Sequence, residues 1–182
     1  MTRPDEPRRT VDALVRAGVT HVVGIPDNTL GPLFHEIRRH PTIRLIRVTR
    51  EGEAVALASG LWLGGAVPLV AIQNTGLLES GDAIRGTALR MGASVPMVVS
   101  GRGWAKMERA GVRPTDERTL DSLTRPDVDS TALLTEPTLD AWGIPYQICG
   151  DDDDPAAMIE AVVAEAREQG RPVAMILTRA LD

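Results

Sequence analysis

The chain has 182 residues, a length typical of one domain with a substantial apolar core. Hydrophobic residues make up 43% of it and aromatic residues only 3%, so the core must consist mainly of aliphatic side chains. The formal net charge of −5 argues against a nucleic-acid-binding protein, because such proteins present a basic surface. No uncharged apolar run reaches the roughly 18 residues that a membrane-spanning helix needs. The polar N-terminus also lacks the apolar core of a signal peptide, so we expect a cytoplasmic protein that binds neither nucleic acid nor membrane.

Strands and helices alternate in the secondary structure predicted for the first hundred residues. Short apolar runs predict strands, and the segments between them carry apolar residues at helical spacing. The predicted strands are 21–25, 43–48, 68–72 and 95–99. The predicted helices are 9–17, a second helix capped by Asp27 or Asn28 that ends at about Arg39, 51–63 and 77–91. This alternation indicates an α/β fold of three layers, with a doubly wound, mostly parallel sheet and helices on both faces.

The alternation is interrupted between residues 101 and 138, where prolines and charged residues are frequent and apolar runs are few. We expect a long irregular connection there, with room for short helices. A strand at 146–149, a helix at 155–169 and a last strand at 173–177 complete the predicted fold. Asp154 is expected to cap that helix, because a proline follows it at the first helical position. We find no internal repeat, and we expect a single domain over residues 1–182.

Polar loops follow the first three predicted strands, at residues 24–28, 49–53 and 73–76. The carboxyl ends of parallel strands meet at one edge of the sheet, where open α/β sheets bind ligands. Taken singly, each loop also has a structural explanation. The first and third contain ordinary turn residues, and a glutamate in the first turn of a helix is favoured by the helix dipole. The single cysteine, Cys149, is expected to be a small buried hydrophobe.

Three stretches of the sequence match a known family in order and in spacing. They are GIPDNTL at 24–30, REGEAVALASG at 50–60 and QNTGL at 73–77. Together they resemble the pyrimidine-binding domain of thiamine-diphosphate enzymes, and most of all that of the phosphonopyruvate and sulfopyruvate decarboxylases. The resemblance covers about residues 10–100 and implies the thiamine-diphosphate-binding fold.

The resemblance implies a catalytic role for Glu51, which stands nine residues before the helix glycine Gly60. In such enzymes this glutamate hydrogen-bonds a ring nitrogen of the cofactor's aminopyrimidine and favours its imino tautomer. The substrate would be a small 2-oxo acid that loses carbon dioxide. The residues that the resemblance assigns to cofactor binding are Glu51, Pro26, Asn74, Thr75 and Gly76, and those that it assigns to substrate binding are Asp27, Asn28 and Glu79.

The resemblance also implies a partner chain. Thiamine-diphosphate enzymes hold the diphosphate through a divalent metal, bound in a second domain by a Gly-Asp-Gly motif and a later asparagine. The nearest string here is Gly81-Asp82-Ala83, and no asparagine follows Asn74. We therefore expect no metal site in this chain, which resembles an alpha subunit. A beta subunit would hold Mg²⁺, the assembly would be a hetero-oligomer, and this chain would be inactive alone.

Two departures from the family pattern leave the substrate open. Relatives commonly have Gly-Asn where this chain has Leu78-Glu79, and a negative charge there would repel a phosphonate or sulfonate. A histidine that follows Asp116-Glu117 in relatives is absent here. The alternatives are therefore a carboligase subunit that forms acyloins, or a non-catalytic binding or regulatory module on the same fold.

Overall fold

Six parallel strands form the central sheet of the computed structural model, which describes residues 5–113 and 119–181. Their bounds are β1 His21–Gly24, β2 Arg44–Arg47, β3 Pro68–Gln73, β4 Pro96–Ser100, β5 Tyr146–Cys149 and β6 Val173–Leu177. Their order across the sheet is β2-β1-β3-β4-β6-β5, and every neighbouring pair is parallel. All the predicted strands are present, and the predicted α/β fold class is confirmed.

The helices of the described residues connect these strands. They are α1 Glu6–Arg16, α2 Gly31–Arg39, α3 Glu51–Leu63, α4 Asn74–Glu79, α5 Gly81–Ala83, α6 Trp104–Ala110, α7 Leu120–Thr124, α8 Ser130–Trp142 and α9 Pro155–Gln169. Helix α5 continues into a π-helical segment, Ile84–Leu89. Within the described residues, no helix combines the length and the apolarity that crossing a membrane requires.

Apolar side chains alternate between the two faces of the sheet and build two cores. In β1, Val22 belongs to one core and Val23 to the other. The first core lies between the sheet and helices α1, α2 and α9, whereas the second lies under α3, the π-helical segment and α8. Because helices cover both faces, the central strands are apolar almost throughout, as is usual for parallel sheets.

The direction of the chain across the sheet reverses at β1. From β1 the chain moves outward through α2 to the edge strand β2, and α3 then carries it back past β1 to β3. Helix α2 packs on one face of the sheet and α3 on the other. This reversal leaves a crevice outside the carboxyl ends of β1 and β3, which is where ligands bind in open α/β sheets.

The segment expected to be an irregular connection contains α6, α7 and the first part of α8. The difference is largest in α8, where the Asp129 side chain caps the helix by accepting a hydrogen bond of 3.1 Å from the Thr131 N–H. Pro137 lies inside α8, although proline usually ends a helix. Leu139 packs into the second core, and Leu133 packs into a separate small cluster with Met107 and Val128. This burial stabilises α8 although the helix contains a proline. Asp116 and Glu117, where the expected histidine is missing, lie outside the described residues.

The termini of the described chain meet through a buried ion pair. Arg179, which follows β6, donates two hydrogen bonds of 2.7 Å to the carboxylate of Glu6 in α1. The Glu6 side chain is 2% exposed and that of Arg179 is 19% exposed, so water screens this pair very little. Arg179 also donates to the backbone carbonyl of Gly150 after β5. The pair therefore connects α1 to the loops that follow β5 and β6.

Replacing Glu6 by Gln should lower the free energy of unfolding by up to about 3–5 kcal/mol, because the largely buried Arg179 charge then keeps only the exposed carboxylate of Asp151, 3.8 Å away, as a counter-ion. Urea denaturation measures this change. The matched control is Glu160→Gln, which breaks the exposed pair between Arg16 of α1 and Glu160 of α9 and should cost about 0–1 kcal/mol. Equal effects of the two substitutions would contradict the assignment of the Glu6 pair as a buried one.

Candidate functional site

Asp27 links three strands at the carboxyl edge of the sheet. Its Oδ1 accepts hydrogen bonds from the backbone N–H groups of Thr29, at 3.0 Å, and Leu30, at 2.7 Å. Its Oδ2 accepts one from Gln73 Nε2 at 2.9 Å and another from the Ser100 hydroxyl. Residues at the ends of β1, β3 and β4 are thus held at one level. Both carboxylate oxygens of this predicted substrate ligand are already engaged within the chain.

Glu51 is the first residue of α3, and its side chain lies directly against Gly76 in α4. A Cβ atom at position 76 would collide with Cγ, Cδ and Oε1 of Glu51. Gly76 therefore forms the surface, or floor, against which the glutamate side chain packs. Any other residue type at this position would displace that side chain. The structure brings these two predicted site residues together, although they are 25 positions apart in the sequence (76 minus 51).

The other acidic side chains around the start of α3 are occupied by nearby donors. Glu53 accepts hydrogen bonds from the backbone N–H groups of Thr49, at 3.1 Å, and Arg50, at 3.2 Å, and one from the Thr49 hydroxyl at 3.0 Å. Glu79, at the end of α4, accepts one from the Gly52 N–H at 3.0 Å and forms an ion pair with Arg50. By contrast, the half-buried Glu51 carboxylate makes no hydrogen bond or ion pair within residues 5–113 and 119–181.

These contacts determine the charge state of Glu79 and Glu53. The pKa of Glu79 is lowered, chiefly by the hydrogen bond from Arg50 and next by that from the Gly52 backbone. The pKa of Glu53 is lowered chiefly by the hydrogen bonds from the backbone and side chain of Thr49. Both carboxylates are therefore ionised at neutral pH, and each has donors of its own.

The remaining predicted site residues differ in their exposure to solvent. Pro26, Asn28 and Thr75 are exposed at the same edge of the sheet, and the Thr75 hydroxyl donates to Gln73 Oε1 at 3.1 Å. Asn74 is fully buried. Its amide donates to the backbone carbonyl of Arg102 at 2.9 Å and to the Thr135 hydroxyl at 3.2 Å, while its Oδ1 has no hydrogen-bond partner.

Sequence reasoning missed the residues that organise this edge from inside the chain. Ser100 lies at the end of β4, level with Gln73 at the end of β3, and contacts Asp27 from there. A survey of the first polar residue at each carboxyl strand end would have found it. No sequence signal marks the ion pair between Arg50 and Glu79, because the two residues are 29 positions apart and lie on different elements.

The geometry can be compared with what thiamine diphosphate requires. The resemblance implies that its aminopyrimidine hydrogen-bonds a carboxyl group, and the Glu51 carboxyl group, which lies against Gly76 and is unpaired within the described residues, is available for such a bond. Within the described residues there is no cluster of three or more His, Cys, Asp or Glu side chains that could hold a metal ion. A groove of about 770 Å³ lies between α6 and the loops that follow β5 and β6, and Glu51 does not line it. The residues present thus fit the pyrimidine end of the cofactor.

Cys149 is fully buried at the end of β5, and burial raises the pKa of its thiol to about 11. Because the thiolate is the reactive form, this cysteine is not suited to act as a nucleophile at neutral pH. Its position in the core agrees with the expectation of a small buried hydrophobe. The candidate site therefore depends on carboxylates and amides, and no thiol takes part in it.

Replacing Gly76 by Ala should force the Glu51 side chain to move and should lower the free energy of unfolding by about 1–3 kcal/mol through overpacking. Removing the glutamate at the same time should relieve the collision. The free energy of unfolding of the double variant Glu51→Ala/Gly76→Ala should thus exceed the value expected from adding the two single effects by about 0.5–3 kcal/mol.

Urea denaturation of the four chains measures this coupling. The matched control is Gly60→Ala in α3, where an added Cβ meets no atom within 4 Å. That substitution should raise the free energy of unfolding by about 0.5–1 kcal/mol, since alanine is the better helix former. Strictly additive effects at positions 51 and 76 would refute the contact.

Comparison with known proteins gives one family match and several relatives. Residues 8–118 match the family described as "Thiamine pyrophosphate enzyme, N-terminal TPP binding domain". The chain is 40% identical over 89 residues to a phosphonopyruvate decarboxylase of Streptomyces viridochromogenes, an alignment that covers 49% of this chain and 22% of the relative. It is 30% identical over 91 residues to the sulfopyruvate decarboxylase subunit alpha of Methanococcus maripaludis, covering 50% of this chain and 54% of the relative. The aligned part thus spans at most about half of these relatives.

Among solved structures, the fold is similar to the thiamine diphosphate-dependent 4-hydroxybenzoylformate decarboxylase of Rhodococcus jostii RHA1. The TM-score is 0.67 and the sequence identity is 15%, over 96% of this chain and 31% of the other. At this identity the likeness concerns the fold alone. The family match covers more than half of this chain, and the chain therefore belongs to the family of N-terminal domains of thiamine pyrophosphate enzymes.

Proposed function

We propose that this chain is the alpha subunit of a two-chain, thiamine-diphosphate-dependent 2-oxo acid decarboxylase. Glu51 would be the residue that activates the cofactor. The observation that carries the proposal is the state of this carboxylate, which is half-buried, lies against Gly76 and is unpaired within the described residues. Its place beside the reversal point of the sheet supports the same role.

Thiamine diphosphate, when bound, supplies the electron sink that lets a 2-oxo acid lose carbon dioxide. The task of Glu51 is to hold a proton at its carboxyl oxygen and share it with a ring nitrogen of the aminopyrimidine. Such a hydrogen bond is stronger in a site from which water is excluded. Pro26, Asn28 and Thr75 lie exposed at the same edge, so they remain available to contact the cofactor or the substrate.

A second chain would complete the site and hold Mg²⁺ with the diphosphate. The similarity to a protein named as a subunit alpha supports this arrangement. So does the surface of α3, which is apolar on several sides. Leu57 is 39% exposed and Leu63 is 70% exposed, while the space around Gly60 is open.

The proposed substrate class is a small 2-oxo acid, and Glu79 does not restrict it to an uncharged one. The negative charge of Glu79 is paired with the Arg50 guanidinium and with the Gly52 N–H. A second anionic group on the substrate, such as the phosphonate or sulfonate in the substrates that the relatives' names imply, therefore meets a compensated charge. Formation of an acyloin, in place of simple aldehyde release, would use the same Glu51 chemistry.

Replacing Glu51 by Gln should leave the fold intact and reduce kcat of the complex with its co-purified partner by about 10²-fold or more, the scale of lost acid–base catalysis. Carbon dioxide release from 2-oxo acids measures turnover, and circular dichroism checks the fold. The control is Asp82→Asn, an exposed carboxylate in α5 that pairs only with Arg85 among the contacts described. Normal turnover by the glutamine variant would exclude the proposed role.

A non-catalytic binding module is the second candidate function. The engagement of both Asp27 oxygens within the chain and the burial of the Asn74 amide favour it. Calorimetric titration with thiamine diphosphate and Mg²⁺ separates the two functions. An enzyme subunit should bind the cofactor in the complex, and Glu51→Gln should weaken that binding. The absence of binding by the complex would favour the non-catalytic module.

A further inference from the structure

Two residues that flank Glu51 in the sequence both bind the same carboxylate. The guanidinium of Arg50 pairs with Oε1 of Glu79, and the backbone N–H of Gly52 donates to Oε2 of Glu79 at 3.0 Å. Glu79 belongs to α4, whereas Glu51 and Gly52 begin α3. The carboxylate of Glu79 thus connects the end of α4 to the first turn of α3, on both sides of Glu51.

Gly52 permits this close contact. A Cβ atom at position 52 would lie 3.3 Å from Oε2 of Glu79, which is tighter than an ordinary van der Waals contact. A glycine therefore lets the carboxylate reach the first-turn amide without a shift of a few tenths of an ångström in the Glu79 side chain. Since Glu51 lies on Gly76 in the same α4, the distance between α3 and α4 also determines where the Glu51 carboxylate points.

Arg50 is the cation nearest to Glu51 in the sequence, and its charge is permanent at any physiological pH. A guanidinium that is free to move would pair with the adjacent unpaired carboxylate, because arginine and carboxylate groups form strong two-point hydrogen bonds. Such a pair would take the place of a ring nitrogen as the partner of Glu51. In this structure Arg50 is turned to Glu79, and Glu51 remains unpaired among the described residues.

We propose that Glu79 is a positioning residue, which holds Arg50 away from Glu51 and fixes the first turn of α3 so that the Glu51 carboxyl group is available to the cofactor. This inference rests on the function proposed for Glu51. It gives Glu79 a role other than the substrate contact expected from the resemblance. The ion pair and the amide contact, which we call the Glu79 clasp, act through Glu51.

The test compares Glu79→Gln, the double variant Arg50→Ala/Glu79→Gln and the control Asp82→Asn. Glutamine keeps an oxygen that can accept from the Gly52 N–H but loses the charge that holds Arg50. In the complex with the partner chain, Glu79→Gln should lower kcat by about 10-fold or more, since a small misplacement of a reacting group has effects of up to about 10²-fold. KM should change little. Removing Arg50 as well should restore most of the lost kcat.

Crystal structures of the isolated variants give a readout besides activity. In Glu79→Gln, the Arg50 guanidinium should lie within hydrogen-bond distance of the Glu51 carboxylate. In the double variant, Glu51 should again be unpaired. The control, Asp82→Asn, likewise removes the charged partner of an arginine, because it breaks the ion pair between Asp82 and Arg85. It should leave both kcat and the position of Glu51 unchanged.

Two results would contradict the role proposed for the Glu79 clasp. One is a double variant no more active than Glu79→Gln, since a purely structural or substrate-binding role of Glu79 gains nothing from the loss of Arg50. The other is an Arg50 side chain that stays away from Glu51 in Glu79→Gln. Glu51→Gln, assayed in parallel, separates this failure from that of the proposed function. An active Glu51→Gln refutes the function, whereas an inactive Glu51→Gln with a normal Glu79→Gln refutes the clasp alone.

Discussion

The contact between Glu51 and Gly76 is the constraint on which the rest of the site depends. It requires α3 to begin at Glu51, α4 to begin directly after β3, and position 76 to carry no Cβ atom. Any other residue type at this position would place its Cβ atom against the glutamate side chain. The hydroxyl of Ser80 donates to the Gly76 carbonyl at 2.6 Å and so fixes the turn that provides this floor.

Four carboxylates lie near the carboxyl edge of the sheet, and their different surroundings separate their roles. Asp27 is surrounded by donors from three strand ends, Glu53 by the loop before α3, and Glu79 by Arg50 and Gly52. Each of these three lowers the energy of the local backbone by satisfying amides that lack partners at a turn or a helix start. Glu51 accepts no such hydrogen bond within the described residues, although the same donors lie nearby. That difference, and not its residue type, is what makes it suited to a ligand.

The sequence predicted the strands and the helices near the site well because these elements are local patterns. Apolar runs mark β3 and β4, and the spacing of small and apolar residues marks α3 over the same residues that the structure assigns to it. The helix after β3 begins three residues earlier than predicted, at Asn74, so the turn residues of the third loop form its first turn. In α8, burial of apolar side chains outweighs the effect of Pro137, and no local signal reports such packing.

The internal contacts of the site could not be predicted, since each joins residues far apart in the sequence. Asp27 meets Gln73 across 46 positions and Ser100 across 73, and both contacts depend on the register of neighbouring parallel strands. The resemblance to the family named Asp27 and Asn74 as ligands by position alone. The structure adds that most of their polar atoms already form hydrogen bonds within the chain, which only the contacts can reveal.

The carboxylate of Glu51, unpaired within the described residues, stands in the first turn of α3, where a docked partner chain would change its surroundings. A half-buried carboxylate in water gains little from a hydrogen bond to a ligand, because water competes for it. If a second chain docks on α3 and also covers its first turn, water is removed from around the Glu51 carboxylate. The same hydrogen bond then contributes more, because the surroundings have a lower dielectric constant. A partner that covers this turn would thus strengthen the hydrogen bond proposed between Glu51 and the cofactor even without touching Glu51, which is a physical reason for the proposed division of the site between two chains.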